Sequence, residues 1–392
     1  MYKGYEYRIY PNKKQEVLLN KIFGCVRYIY NWGLSKKIKY YQEQNKMLSS
    51  FDLTKELPIL KQEKEWLKEI DAQALQQSLR HLDNSFTKFF RGKKGFPKFK
   101  SKRNNRQSYA TIMNVHLFPE INKIQIPKLG KVKIRIDRLP KGTFKTCTVK
   151  KTPTNKYFVV LTVDEKIKTP DKPIVTEGTT IGIDLGIKDF AILSDGRKFA
   201  NPKYLLKNLK RLQVLQKRLL RKQKGSKNRE KARLKVALQH EKITNLRKDF
   251  LHKITYKLTH ENQVNTICLE TLAVSNMLKN HKLARSISDV SWSSFNDLID
   301  YKAELYGKNI LRIGKFEPSS KLCTCGYKNN NLTLKDREWT CPICNTHHDR
   351  DILAANNIKR FALQEQNLVY TGLGRPKEHV DSLTKVKGMK HE

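Results

Sequence analysis

A single carboxylate inside an apolar run constrains this chain more than any other feature. Asp184 stands in IGIDLGIKDFAIL, between Ile183 and Leu185 and directly before Gly186. The run predicts a strand in which Asp184 faces one side while its two neighbours pack on the other. An unpaired buried charge is costly, so such a strand requires something cationic to meet the carboxylate.

Two further acids stand in comparable positions far along the chain. Glu270 closes the apolar run NTICLE, at a predicted strand end, where open α/β sheets place their ligands. Asp351 ends HHDRD, directly before the helical run ILAANNIKRF, where the helix dipole also favours an acid. Three carboxylates on one sheet can hold two Mg²⁺ ions, or Mn²⁺ in their place, and paired ions hydrolyse phosphodiesters. The sequence therefore predicts a metal centre, with a plain strand end and a helix cap as the alternatives for Glu270 and Asp351.

The charge of the chain indicates a polyanionic partner. Of 392 residues, 79 are Lys or Arg and 37 are Asp or Glu, a formal net charge of +42. Such an excess opposes compactness through self-repulsion and favours nucleic acid, with a ribosomal or merely basic protein as the alternative. Residues 88–106 hold nine Lys or Arg and no acid, and 203–260 hold 19 against three acids. We expect the first stretch to face nucleic acid, a solvated basic loop being its alternative.

Four of the seven cysteines fall within a short segment and indicate a zinc site. They are Cys323, Cys325, Cys341 and Cys344. The second pair has the two-residue gap of a zinc ribbon, whereas the first pair is one residue short of it. We expect structural Zn²⁺ here, with His347 or His348 replacing a cysteine if the first pair cannot reach the ion. The alternative is a zinc-free hairpin with buried cysteines.

Periodicity divides the chain into a β part interrupted by helices and an α/β part. Residues 2–9 alternate as a strand, about 12–90 keep helical spacing, and short strands return from about 108 to 165. This order predicts a small β-barrel interrupted by a helical insertion. A linker rich in Pro and Lys marks a boundary near residue 172.

Beyond that linker the pattern reads as strands and helices in alternation. Three short strands precede a basic helical hairpin, which GSKN at 225–228 divides into two helices. A strand, a helix and another strand lead to the cysteines, and a helix follows Asp351. From about residue 363 onward no core pattern is visible, which predicts a poorly ordered tail. The start of the chain lacks the apolar core of a secretory signal, and a cytoplasmic, nucleoid-associated location is expected.

Together these motifs resemble the TnpB family, insertion-sequence-encoded proteins related to type V CRISPR effectors, over about residues 1–360. The shared runs are YRIYP, VRYIYNWGL, GFPKFKSKRN, IGIDLGIKDFAILSDG, LETLAVSNMLKN, EPSSKLCTCGYKN and HHDRDILAANNI. The resemblance implies RNA-guided cleavage of double-stranded DNA next to a short transposon-associated motif. By motif match, Asp184, Glu270 and Asp351 correspond to the nuclease triad, with Asp349 as the alternative to Asp351. The chain departs from the family in its Cys-Thr-Cys knuckle and in Leu353, which stands where the family has Asn.

The resemblance implies a multidomain α+β and α/β chain with an RNase-H-like RuvC domain. The implied domains are a wedge β-barrel (1–11 and 106–171) interrupted by a helical recognition domain (12–105), a RuvC-like nuclease domain with the basic hairpin (172–317, completed by 349–362), an inserted zinc ribbon (318–348) and a tail (363–392). Guide RNA from the transposon end and target double-stranded DNA are the implied partners, without a membrane.

The resemblance also suggests which residues face the DNA duplex, since Gln and Arg side chains can read base edges. They are Gln73, Gln76, Gln77, Arg80, Arg106, Gln107, Ser108 and Tyr109. A plain surface helix is the alternative for the helical ones. Two other functions remain open at this point: a nuclease-inactive RNA-guided repressor, which would lose the triad, and a DNA transposase, which would use the same metals.

Overall fold

A computed structural model describes residues 1–92, 94–103, 107–261, 263–315, 317–333 and 335–366. The chain divides into two compact units, Met1–Lys168 and a second unit that begins at Thr169. None of the helices in these ranges combines the length and the apolar composition that a membrane span requires. Most of the predicted tail lies outside the described residues. Its first residue, Leu363, is buried in the last helix, so helical packing continues further than expected.

The first unit is built on a seven-stranded antiparallel sheet. Its strands are β1 (Tyr2–Tyr10), β2 (Gln107–Thr111), β3 (His116–Phe118), β4 (Lys123–Ile126), β5 (Gly130–Arg135), β6 (Thr143–Lys151) and β7 (Tyr157–Asp164). They pair in the order β2-β6-β7-β1-β5-β4-β3. β1 therefore lies at the centre of the sheet, although its partners β5 and β7 begin only at Gly130 and Tyr157. The sheet ends at β2 and β3, so in the described chain strand pairing does not close the predicted barrel.

Three helices separate β1 from β2, as the helical spacing predicted. They are α1 (Lys13–Gln44), α2 (Ser50–Glu63) and α3 (Ala72–Phe90). Asn12 begins α1 with a capping box to Gln15, and Ser49 begins α2 in the same way with Asp52. The apolar stripe of α3 is buried at Leu75, Leu79, Leu82 and Phe86, which fixes the helix against α1 and α2.

The second unit contains a five-stranded mixed sheet and a small hairpin. The sheet consists of β8 (Thr180–Leu185), β9 (Asp189–Leu193), β10 (Lys198–Ala200), β11 (Thr266–Glu270) and β12 (Asn309–Ile313), in the order β10-β9-β8-β11-β12. β8, β11 and β12 run parallel, so their carboxyl ends meet at one edge. The hairpin pairs β13 (Glu338–Thr340) with β14 (His347–Asp349).

Six helices accompany this sheet in the described part of the second unit. They are α4 (Tyr204–Leu220), α5 (Lys227–His260), α6 (Val274–Met277), α7 (Ala284–Val290), α8 (Trp292–Leu305) and α9 (Arg350–Glu365). The predicted break in the basic hairpin is confirmed, because Ser226 caps α5 directly after Gly225. The sequence analysis did not predict α6 and α7, which are too short to show a helical period.

Candidate metal centres

Asp184 and Glu270 lie side by side at the carboxyl ends of two parallel strands. The register pairs Ile183 of β8 with Leu269 of β11, so the next residue on each strand is the acid. Neighbouring strands are about 4.8 Å apart, which brings the two carboxylates to the same edge of the sheet. Both side chains are half-buried.

The helix α9 brings Asp351 to the same place. A Cβ at Gly182 would lie 2.0 Å from the carbonyl oxygen of Ala355, so only glycine permits this approach of α9 to β8. Asp184 shares the strand face of Gly182, and Asp351 stands one helical turn before Ala355 on the same side of α9. The close packing of strand and helix therefore sets the third acid against the first.

The proximity of the three acids affects the pKa of Asp184. Burial, followed by the negative charges of Asp351 and Glu270, raises this pKa to about 7, while Arg350 acts in the opposite direction. Burial also raises the pKa of Glu270. A buried carboxylate whose ionised form is disfavoured further by two neighbouring acids has the electrostatics of a cation site. Oxygen ligands of this kind suit Mg²⁺ or Mn²⁺.

Asp349 and Asp351, two residues apart, have different environments. Asp349 is the N-cap of α9, where its Oδ1 accepts from the backbone N–H groups of Asp351 and Ile352, and Lys198 Nζ donates to its Oδ2 at 2.8 Å. Burial opposes ionisation of Asp349, but these bonds hold its pKa below the ordinary value. Asp351 instead adjoins Asp184, and Arg337 Nη1 approaches its Oδ1 at 3.4 Å.

The sequence analysis missed the cations Arg337 and Lys198. Arg337 meets an acid 14 residues away, and Lys198 meets one 151 residues away. Neither distance corresponds to a local period, so no sequence pattern could have paired them. Gly182 was also missed as a functional position, although its place two residues before Asp184 was a usable signal.

The four cysteines converge on one point. Their sulfur atoms all lie within 4.8 Å of one another, which suits the chemistry of a tetrahedral zinc site. The short first knuckle is accommodated by Gly326 (φ +96°), which turns the chain so that Cys323 N–H donates to Tyr327 O at 2.8 Å. Asn345, also at positive φ, forms the turn after the second knuckle.

Side chains around the sulfur atoms support this geometry. His348 is buried with Nε2 3.0 Å from Cys323 Sγ, whereas His347 is exposed and contacts Thr340. A histidine is therefore not needed to complete the set of four, and His348 adjoins it as a neighbour. Leu353, the position that departs from the family, packs with Cys323, Cys341, Leu332 and Trp339 in a small apolar core.

The residues predicted to face a duplex are in mixed environments. Gln73, Gln76 and Gln107 are half-buried, Arg80 and Ser108 are exposed, and Arg106 lies outside the described residues. Gln77 and Tyr109 are buried, at 8% and 3% exposure. Tyr109 packs edge-on against Phe23 in the core of the first unit. The apolar period of α3 and the alternation of β2 place these two side chains inward, so neither is retained as a base contact.

Comparison with known proteins identifies relatives of this chain over most of its length. A family model described as "Probable transposase" (OrfB of IS605) matches residues 158–281, a "Helix-turn-helix domain" of the same proteins matches 1–46, and a "Cas12f1-like, TNB domain" matches 292–358. The protein named "Putative RNA-guided DNA endonuclease" of Streptomyces pristinaespiralis is 39% identical over 362 residues, covering 91% of this chain and 88% of its own. The one named InsQ, of Escherichia coli K12, is 29% identical over 373 residues, covering 91% of both chains.

A solved structure extends the similarity to the fold. The protein chain of a Cas12f1–sgRNA–target DNA complex aligns with a TM-score of 0.57 at 14% identity, over 92% of this chain and 98% of its own. The fold is thus of the Cas12f1 type, in a mixed α/β chain with two compact units. The chain belongs to the TnpB family of transposon-encoded proteins, whose relatives here are named RNA-guided DNA endonucleases.

Proposed function

We propose that this protein is an RNA-guided DNA endonuclease in which Asp184, Glu270 and Asp351 form a metal-dependent, RuvC-like catalytic centre. The observation that carries the proposal is the convergence of the three acids, expressed in the raised pKa of Asp184. Burial and the two neighbouring acids make the ionised form of Asp184 unfavourable. A bound cation would offset that cost, which explains why the fold brings the three carboxylates together. A purely structural role would have supplied a permanent partner, as Lys198 does for Asp349.

The residues of the chain fit divalent ions. When bound, paired Mg²⁺ ions supply an activated water and stabilisation of the leaving 3′ oxygen in phosphodiester hydrolysis. Asp184 and Glu270 are fixed by two adjacent strands, and Asp351 by the first turn of α9. Ligand side chains on such elements are positioned more rigidly than on loops. The ion pair between Arg337 and Asp351 can break at little cost in free energy, because both side chains are partly exposed and their N–O distance is long.

The remaining functional expectations follow the same proposal. The predicted domains are the working assignment: wedge and recognition domains in 1–171, and a RuvC-like domain in 172–362 with a zinc ribbon at 318–348. The four cysteines would hold Zn²⁺ and fix the ribbon to α9, where Asn357 Nδ2 donates to the Ser319 and Leu322 carbonyls at 2.7 and 2.6 Å. Guide RNA and a short DNA motif supply specificity, and action on chromosomal DNA implies a nucleoid-associated protein.

The test begins with the protein purified from its native locus and the RNA that accompanies it. Sequencing that RNA gives the scaffold and the guide, which is then redirected to a plasmid library with randomised flanks. We expect Mg²⁺-dependent cleavage of plasmids that carry one short flanking motif. Asp184→Ala should lower the cleavage rate at least about 100-fold, since even outer-shell residues of a metal site contribute 10–100-fold. RNA and DNA binding should persist.

The matched control is Asp249→Asn, which removes an exposed carboxylate of α5 that is paired with Lys253 on the same helix. This variant should cleave as the wild type does. Full cleavage by Asp184→Ala would refute the catalytic assignment. Guide-dependent DNA binding by the wild type with no cleavage would instead favour the repressor, and strand transfer without RNA would favour the transposase.

A further inference from the structure

The first turn of α9 has the acid centre on one side and the four cysteines on the other. Asp351 lies on the side of the helix that packs against β8 at Gly182. Leu353 follows two residues later, and two residues turn an α-helix by about 200°. Its side chain is 4% exposed and packs with Cys323 and Cys341. A single turn of helix therefore joins the three acids to two of the four cysteines.

The backbone and polar side chains near this turn also belong to both sites. The strand β14, His347–Asp349, runs from the cysteine hairpin directly into α9 at Arg350. The N–H of Arg350 donates to Arg337 O at 2.8 Å, and its Nη1 donates to Thr333 O at 2.6 Å. Arg337, from the same segment, approaches Asp351. A change in the hairpin is thus passed to the residue that adjoins the acid centre.

A second contact along α9 extends the connection. Asn357 lies one turn beyond Leu353 on the same face of the helix, and its Nδ2 donates to the carbonyl oxygens of Ser319 and Leu322. Leu353 itself stands where the TnpB family has Asn. An apolar side chain fills the space beside the sulfur atoms without burying an unsatisfied amide. Close packing thus links α9 to the cysteines in this chain, and its attraction weakens as soon as the two surfaces separate.

Zinc would fix the position of Leu353 through the two cysteines that this side chain contacts. The four sulfur atoms lie within 4.8 Å of one another. A bound zinc ion holds its thiolate ligands and contributes to folding, whereas thiols without the ion form only weak hydrogen bonds. Leu353 therefore packs on a firm surface when zinc is bound and on a deformable one when zinc leaves. Asp351, two residues away on the same helix, is subject to the same difference.

We propose that zinc at the four cysteines sets the affinity of the three acids for divalent ions, and that Leu353 is the positioning residue that links the two sites. The inference rests on the proposed function, because it takes Asp184, Glu270 and Asp351 as the ligands of those ions. Coupling between two binding sites is reciprocal, so a divalent ion at the acids raises the affinity of the cysteines for zinc by the same factor. Such factors are usually about 5- to 150-fold.

The first measurement is the zinc affinity of the full-length protein with and without Mg²⁺. A chelator that prefers Zn²⁺ to Mg²⁺ competes for the zinc, and the ionic strength is kept constant. Saturating Mg²⁺ should lower the zinc Kd of the wild type at least about fivefold. Asp184→Ala should abolish this effect, whereas Asp249→Asn, at an exposed acid paired with Lys253, should retain it. A Mg²⁺ effect that persists in Asp184→Ala would overturn the proposal, because it would not arise at the acids.

The reverse measurement uses Mn²⁺, which prefers oxygen ligands and is counted by electron paramagnetic resonance of the free ion. Its affinity is compared between the zinc-loaded and the zinc-stripped full-length protein. The zinc-loaded protein should bind Mn²⁺ more tightly, by the factor that the first measurement gives. Equal Mn²⁺ affinities in the two forms would contradict the proposal.

Substitutions in α9 distinguish coupling from packing alone. Leu353→Ala opens a space between α9 and the cysteines and should reduce the coupling factor below about twofold. Leu353→Met keeps the volume and should retain most of it. The matched control is Leu363→Ala, which truncates a buried leucine of the same helix outside the cluster that contains the cysteines. It should lower the Tm but leave the coupling factor unchanged.

A purely structural role for Leu353 would lower the Tm and leave the coupling factor as it is in the wild type. That outcome in Leu353→Ala would refute the proposal, and so would an equal loss of coupling in Leu363→Ala. If Leu353→Ala does not fold, Leu353→Val removes less volume and should give an intermediate coupling factor. A wild-type factor in the folded Leu353→Val would then count against the proposal.

Failure of the coupling and failure of the proposed function give different results. If the wild type has no Mn²⁺ site that Asp184→Ala removes, the proposed function fails and the coupling fails with it. If the acids bind Mn²⁺ and the cysteines bind zinc, each with the same affinity whether or not the other ion is bound, only the coupling fails. If the cysteines bind no zinc, the coupling is refuted while the catalytic assignment stands.

Discussion

The four cysteines and the three carboxylates are both ligand sets, but the chain holds them differently. The sulfur atoms lie within 4.8 Å of one another and are surrounded by hydrogen-bonding and apolar neighbours. Among the described residues, only the cysteine set closes to that distance, so the carboxylates stand further apart at the end of the sheet. All three are half-buried, and the pKa values of Asp184 and Glu270 are raised. We call the cysteines the closed set and the three carboxylates the open set.

The difference corresponds to two uses of a metal. A structural site encloses its ion and contributes directly to folding, whereas a catalytic site keeps room for water and substrate. Neighbouring carboxylates cost folding free energy until a cation neutralises them. The closed set should therefore dominate stability, and the open set should reduce it. Substitutions in and beside the two sets, taken from the largest expected effect to the smallest, test this contrast.

Cys341→Ser should have the largest effect. It removes a buried ligand, and apparent zinc-binding free energies in small zinc domains are about 10–16 kcal/mol, most of which is folding free energy of the domain. Metal analysis should show about one zinc per chain in the wild type and little in the variant, with loss of amide protection from hydrogen exchange across 318–348. Cys25→Ala, at a buried cysteine outside the set, is the matched control and should keep its zinc. Full zinc occupancy in Cys341→Ser would show that the set is not what binds the metal.

Asp184→Asn should have a smaller effect of opposite sign on stability. The folded pKa of Asp184, about 7, exceeds its ordinary value, so the folded state retains a proton that the unfolded state releases. The metal-free wild type should therefore lose stability as pH rises from about 4 to about 7. At pH 8 the variant should be more stable by roughly 1–2 kcal/mol, a usual gain at a strained functional site.

Denaturant unfolding with and without Mg²⁺ checks this expectation. The advantage of Asp184→Asn should disappear below pH 4 or so, where the carboxyl is protonated in both states of the wild type. Mg²⁺ should stabilise the wild type more than the variant. A wild type that is the more stable protein at pH 8 without metal would contradict the raised pKa of Asp184, which burial and the two neighbouring acids produce.

The sequence predicted the open set more completely than it predicted the surroundings of that set. Asp184 interrupts an apolar run, Glu270 closes one and Asp351 directly precedes one, and a carboxylate in such a place is visible without a structure. The choice between Asp349 and Asp351 was not visible without a structure, because it depends on how α9 approaches Gly182. The long strands and helices agree with the periodicity of the apolar residues in their sequences. The short helices α6 and α7 and the pairing of β1 with β5 and β7 depend on tertiary contacts.

The basic helical hairpin of α4 and α5 shows the same limit. The excess of Lys and Arg in 203–260 was evident from the sequence, but which of these cations face one another depends on the packing of α4 against α5. The burial of Gln77 and Tyr109 likewise follows from the faces that α3 and β2 present to the core. A sequence shows that charges and amides are present, and the fold determines which of them reach a ligand.

The smallest expected effect distinguishes the two aspartates of the HDRD motif. Asp349→Ala removes the cap of α9 and the pairing with Lys198, and should cost about 0.5–2 kcal/mol at pH 7. Asp349→Asn can still cap the helix, so it should cost less. Because these contacts lower the pKa of Asp349, the stability they contribute is present above the ordinary pKa and should be lost as pH falls through the lowered one.

Cleavage separates the two positions further. Asp349→Asn should retain cleavage within about tenfold of the wild type, because the cap of α9 remains and only the ion pair with Lys198 is weakened. Asp351→Asn should reduce cleavage about as strongly as Asp184→Ala, since it removes a direct oxygen ligand. If the effects on cleavage are reversed, Asp349 is the third ligand, and α9 must then begin differently when metal and DNA are bound.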